Sequence, residues 1–191
     1  MRKFLTALIV FGGLVFSCTN AKDDSHMVEN KNNEHGYVEL DSFEMNEISL
    51  LDYDLNMSLM VPIIGSASGT EIKPEIIHDD GDYLWYINIG KYFHLVIEDY
   101  AKEFNKVTTE KKRIAAKKDI FKVEYIIDRN NLIFYKRNLL ADQGGKSTFH
   151  CYGEIRIDGY NFVLRSEKSG SYQPIIQDMV TTIKSAKKSV K

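Results

Sequence analysis

"STFHCYGEIRIDGYNFVLRSE", residues 147–167, holds the strongest local fold signal in the chain. Asp158-Gly159 stands between two alternating runs, and this dipeptide readily takes the two positive-φ positions of a type I′ hairpin turn. Such a turn pairs Ile157 with Tyr160 and sets the register outward from there. Side chains alternate along a strand, so Cys151, Gly153, Ile155, Ile157, Tyr160, Phe162, Leu164 and Ser166 share one face. His150, Tyr152, Glu154, Arg156, Asn161, Val163, Arg165 and Glu167 share the other. The first reads as a core face and the second as mainly polar. His150 is expected opposite Glu167 in a weak, exposed pair.

Further strands lie upstream. In 54–61, Leu55, Met57, Leu59 and Val61 alternate with Asp54, Asn56, Ser58 and Met60, and Pro62 is expected to stop the strand. Residues 83–89 and 92–98 are aromatic and β-branched, joined by Gly90-Lys91 as a hairpin or as a bulge in one long strand. Residues 121–127 and 132–137 flank Asp128-Arg129-Asn130-Asn131 as a second hairpin.

Two helices are predicted. Residues 100–117 lack Gly and Pro and bring Ala101, Phe104, Val107, Ile114 and Ala115 near one stripe, with a bend or break expected at Thr108-Thr109. A C-terminal helix opens at Pro174 and aligns Ile175, Ile176, Met179, Val180 and Ile183. Lys184, Lys187 and Lys188 near its end suit the helix dipole. The fold class is therefore α+β: an antiparallel sheet of six or seven strands, with a central helix and a C-terminal helix packed on it. This order of elements, over residues 54–187, resembles small domains of the PsbP/Mog1-like kind. The resemblance implies a non-enzymatic binding or assembly module and transfers no residue.

The chain starts Met1-Arg2-Lys3, followed by 13 uncharged residues from Phe4 to Phe16 and then Ser17-Cys18. A basic start, a short apolar core and a small residue before the cut define a secretory signal, here 1–17. The core falls short of the roughly 18 residues of a membrane-spanning helix. Val15-Phe16-Ser17-Cys18 resembles a bacterial lipobox. That resemblance implies that Cys18 becomes the acylated first residue of the mature chain; the alternative is an ordinary signal peptide and a free Cys18. Thr19 after the cysteine implies the outer membrane. Lys22-Asp23-Asp24 resembles the export signal of surface lipoproteins in Bacteroidota, or is simply part of a solvated tether. Residues 18–36, with almost no apolar content after the cysteine, read as that tether, and 37–191 as a single domain.

The net charge is −2, and loss of Arg2 and Lys3 with the signal makes it −4, so nothing draws the chain toward nucleic acid. With Cys18 lipidated, Cys151 lacks a partner, which excludes a disulfide framework.

Motifs that carry chemistry fail on inspection. "QGGKST" (143–148) puts Leu140 where a phosphate-binding loop needs its first glycine, and a strand follows instead of a helix. "GSASG" (65–69) has Ala67 where a hydrolase elbow needs serine. His150 and Cys151 are adjacent in a strand and point apart, so they form no nucleophilic dyad. "HDDGD" (78–82) lacks the ligand spacing of a calcium loop and reads as a turn; His26, His35 and His94 show no metal-ligand spacing. Lys106, Lys111, Lys112, Arg113, Lys117 and Lys118 are read as a solvated helix face, with an acidic partner or membrane as the alternative. No catalytic, cofactor or metal residue is assigned, and no cofactor is expected.

The sequence thus points to a lipid-anchored protein of the cell envelope, on the outer membrane and open to surface exposure. Its expected role is to bind a protein partner or a surface ligand. The rival reading is an envelope hydrolase whose site is dispersed along the chain and assembles as a pocket of convergent titratable groups.

Overall fold

In the computed structural model, which describes residues 44–66, 69–140 and 146–190, the chain opens with β1 (Met45–Ser49), a 3₁₀ turn (Leu51–Tyr53) and β2 (Ser58–Pro62). Short strands β3 (Ile64–Gly65), β4 (Glu71–Ile72) and β5 (Glu75–Ile77) follow, then β6 (Leu84–Ile89) and β7 (Phe93–Asp99). Helix α1 (Lys106–Ala115) precedes β8 (Phe121–Asp128), β9 (Leu132–Leu139), β10 (Thr148–Ile157), β11 (Tyr160–Ser166) and helix α2 (Gln173–Ser185). The signal peptide, Cys18 and the tether expected over 18–36 lie outside the described residues.

Seven strands form one antiparallel sheet in the order β5-β6-β7-β11-β10-β9-β8. The α+β architecture is the one the sequence predicts. The Asp158-Gly159 turn forms with φ of 52° and 83°, and Ile157 faces Tyr160. Residues 84–89 and 93–99 are a hairpin, with Ile89 facing Phe93 across Gly90-Lys91-Tyr92. Gly90 takes φ 59°, which glycine adopts without steric penalty. The β8–β9 hairpin forms too, with an irregularity between Tyr125 and Ile127.

One face of the sheet carries the main core. Trp85, Ile87, Leu95, Ile97, Phe134, Cys151, Phe162 and Leu164 are buried there together with Ile176, Met179, Val180 and Ile183 of α2. Each such α2 side chain contributes about 1.5–3 kcal/mol by leaving water. Leu55, Met57, Leu59 and Val61 join this core as their alternation predicts, but the strand itself is only Ser58–Pro62 and closes on Pro62. Among the described strands β2 pairs with β1, in a two-stranded ribbon where Pro62 at the strand end is tolerated. After Ser185 the chain turns extended: Ala186 has ψ 127°, and Lys187 makes reciprocal main-chain bonds with Ser58. Lys187 and Lys188 therefore leave the helix dipole and pair with Glu47 and Asp158.

The second face departs from expectation. Helix α1 lies over it, and Val107 and Ile114 pack with Ile133 and Tyr135 in a second cluster. His150, Glu154, Asn161 and Val163 are consequently buried, not solvated. The helix also starts six residues later than predicted, because Ala101 (φ 50°) and Asn105 (φ 64°) are left-handed. That conformation costs Ala101 about 1–2 kcal/mol and Asn105 less, because an asparagine visits it more readily. Asn161 offsets it by donating its N–H to the Ala101 carbonyl at 2.7 Å and its Nδ2–H to the Glu103 carbonyl at 2.6 Å. Thr108 and Thr109 sit in the first turn of α1 and do not break it.

Candidate functional site

The helix covers only part of this face, and beside it opens a cleft of about 490 Å³. Because successive strands bring every second residue to this side, the cleft draws Glu98 from β7, Arg137 from β9, His150 and Tyr152 from β10, and Arg165 from β11. Helix α1 adds Lys106, Thr109, Glu110 and Arg113.

Two ion pairs frame it. Arg165 donates through Nε to Glu98 Oε1 at 2.7 Å, and the Tyr100 hydroxyl donates to Glu98 Oε2 at 2.6 Å. Arg113 holds Glu110, 7 % exposed, through Nε at 2.6 Å and through its second arm. These paired, charge-assisted bonds fix both carboxylates. Tyr135 and His150 face each other across β9 and β10 and stack at 5.1 Å.

His150 is 3 % exposed, which rules out the exposed pairing with Glu167. Its Nε2 lies 3.0 Å from the Thr148 hydroxyl, and the Glu167 main chain provides a second hydrogen bond. Burial first, and then the charge of Arg137, push its pKa down to about 4, so the ring is neutral at pH 7. Gly170 closes over it; at φ 74°, a Cβ there would stand 2.5 Å from His150 Cε1. Burial also pushes Tyr100 up to about 12, with Glu98 adding to the rise, and raises Tyr135 and Tyr152. At neutral pH the cleft therefore presents phenol donors, two guanidinium–carboxylate pairs and unprotonated imidazole.

Other residues singled out in the sequence lie elsewhere. Cys151 is in the main core, its thiol pushed up to about 12 by burial and its N–H donated to Ser166 Oγ at 3.2 Å. His150 and Cys151 thus stand on opposite faces. His78 stacks on Trp85 at 4.4 Å and bonds the Leu84 carbonyl, and Asp82 N–H closes a turn on Asp79. The turn reading of 78–82 holds, and among the described residues no group of three His, Cys, Asp or Glu is disposed to hold a metal. His94 bonds Asn88 and the Lys91 carbonyl. Ala67 and Ser68, and the QGG of 143–145, fall outside the described residues; Thr148 opens a strand, as read. Of the six basic residues around α1, Lys106 pairs with Glu103, Lys111 with Asp128 and Arg113 with Glu110.

Sequence reasoning missed the cleft itself. Its members come from five elements, and the one local hint was the density of charge in the face read as polar. No family model matches the chain, and no curated protein matches it.

Proposed function

We propose that this chain is a lipid-anchored protein of the cell envelope, held on a membrane through acylated Cys18, that binds its ligand or partner in the cleft beside α1 without transforming it. The anchor rests on the basic start, the short apolar core and Ser17-Cys18. Each methylene of an acyl chain buried in lipid adds about 0.8 kcal/mol, and more than one chain is needed for stable anchoring.

The observation that carries the binding reading is the state of the cleft's acid–base groups. A general acid or base works best with a pKa near the working pH. In this cleft every resolved shift runs the other way: His150 goes down, and Tyr100, Tyr135, Tyr152 and Arg113 go up. Such groups hold one protonation state through neutrality and suit recognition by hydrogen bonding. The hydrolase reading would be supported by convergent groups shifted toward pH 7, whereas the shifts of His150, Tyr100, Tyr135 and Tyr152 run away from it.

Thr109 is exposed at the cleft wall and is not in the core, so Thr109→Trp fills the cleft while sparing the packing. Affinity purification of the native chain in mild detergent should recover a bound ligand or partner, and Thr109→Trp should lose it with its unfolding midpoint unchanged. Undiminished capture would overturn the cleft as the binding site. Cys18→Ala should release the protein from membranes, and continued sedimentation with them would overturn the anchor.

A further inference from the structure

Six cations line the cleft, Lys106, Arg113, Lys117, Arg137, Arg165 and Lys168, against the carboxylates Glu98, Glu110 and Glu167. Three of the six already hold a carboxylate: Arg113 on Glu110, Arg165 on Glu98 and Lys106 on Glu103. Arg137, Lys117 and Lys168 make no ion pair among the described residues, and Glu167 is the only unpaired carboxylate left on the wall. Three charges against one leave an excess of two positive charges at this end.

Arg137 is the organised member of the three. Its guanidinium lies over the Phe121 ring, 4.6 Å from the centroid, and one arm donates to the Lys168 carbonyl at 3.3 Å. It is half-buried, and a guanidinium carries five N–H donors in a rigid fork. A partly desolvated cation without a counter-ion is unfavourable, and an arriving anion relieves it. The Tyr135 phenol stands within electrostatic reach of both Arg113 and Arg137 and stays protonated as a further donor. His150, buried beside Tyr135, is satisfied by Thr148 and the Glu167 main chain.

We propose that the ligand of this cleft carries a phosphate monoester, gripped by the fork of Arg137 with Lys117 and Lys168 flanking it. The inference rests on the cleft being the binding site. A carboxylate would cancel only one of the two excess charges, whereas a phosphate monoester carries about −1.5 to −2 at pH 7. The phosphate belongs either to a soluble phosphomonoester or to a phosphorylated lipid of the tethering membrane.

The test is calorimetric titration of the full chain in mild detergent, at constant ionic strength, with methyl phosphate, acetate, and mixed micelles of phosphatidic acid or phosphatidylcholine. Saturable binding of methyl phosphate is expected, with acetate about tenfold weaker or more. Arg137→Gln should lose about tenfold, Arg137→Lys should lose less, and Lys122→Gln, an exposed residue outside the cleft, should lose nothing. Phosphatidic acid micelles binding more tightly than methyl phosphate assign the phosphate to a lipid; equal affinity assigns it to a soluble ligand. Absent phosphate binding, or binding untouched by Arg137→Gln, overturns the proposal. Acetate binding as tightly as phosphate, or partner capture lost in Thr109→Trp while no phosphate binds, overturns the phosphate and leaves the cleft as the site. Capture insensitive to Thr109→Trp overturns both.

Discussion

Glu154, in the middle of β10, caps α1 from beneath: its Oε1 accepts the Asn105 N–H at 2.8 Å. Its other oxygen accepts the Val107 N–H at 3.3 Å, so one carboxylate serves two of the donors that a helix N-terminus leaves unpaired. No residue of the helix supplies a side-chain cap, and Glu154 is 8 % exposed. Glu154→Ala should lower the unfolding free energy by about 2 kcal/mol, the upper range for a lost cap. Glu154→Gln should lose less, because an amide oxygen still accepts. Urea titration followed by circular dichroism measures both, and an unchanged midpoint in the alanine variant would show that the cap contributes nothing.

Gly153, one residue earlier, lies directly against Ile183 of α2. A Cβ there would collide with Ile183 Cγ2 and stand 3.2 Å from Leu132 Cδ1. Gly153→Ala should destabilise by about 1–3 kcal/mol through overpacking. Paired with Ile183→Ala, the two losses should fall short of their sum, because the second change vacates the space the first one fills. Strict additivity in the double-mutant cycle would place the strain elsewhere.

Gly153 also shows what could be read in advance and what could not. The hairpin around Asp158-Gly159 was legible because turn chemistry and alternation act over two to eight residues. Burial of Leu55, Met57, Leu59 and Val61 was legible for the same reason. The fate of the second face was not: Glu154 and Asn161 read as polar surface until a helix some 45 residues away in sequence is laid over them. The start of α1 was hidden likewise, since Ala101 and Asn105 are held left-handed by a cap and an asparagine from β10 and β11. Short strands such as β1 and β5 escaped notice because five and three residues carry too little alternation to announce a strand. The cleft joins Arg137 to Lys117 and Lys168 across three separate segments, and no spacing in one segment announces that.

Burial of His150 links stability to pH. Its native pKa of about 4 lies below the ordinary 6.5. Between those values the unfolded chain takes up a proton that the native ring refuses, so the contribution is complete above about pH 6.5 and is lost as pH falls toward 4. At about 1.4 kcal/mol per pH unit, the full loss approaches about 3 kcal/mol. His150→Gln should remove this slope, whatever its effect on stability at pH 8. Urea midpoints across the window measure it, and a slope unchanged in the variant would exclude His150 as its source.

Asp178 on α2 should give a slope of the opposite sign. Burial alone raises its pKa from 3.8 to about 6, so the native carboxyl keeps its proton where the unfolded one has lost it. Its contribution is complete below about pH 3.8 and is lost as pH rises through about 6, leaving a half-buried charge at pH 8. Asp178→Asn should therefore raise the melting midpoint at pH 8 and leave it near the parent value at about pH 3.5. Across the interval where both groups titrate, the two slopes oppose each other and the parent profile is flattened. Asp178→Asn should expose the rise of stability with pH that His150 causes, and His150→Gln the fall that Asp178 causes. A lower midpoint for Asp178→Asn at pH 8 would mean that its carboxylate is held by a favourable contact, and would reverse the sign assigned to it.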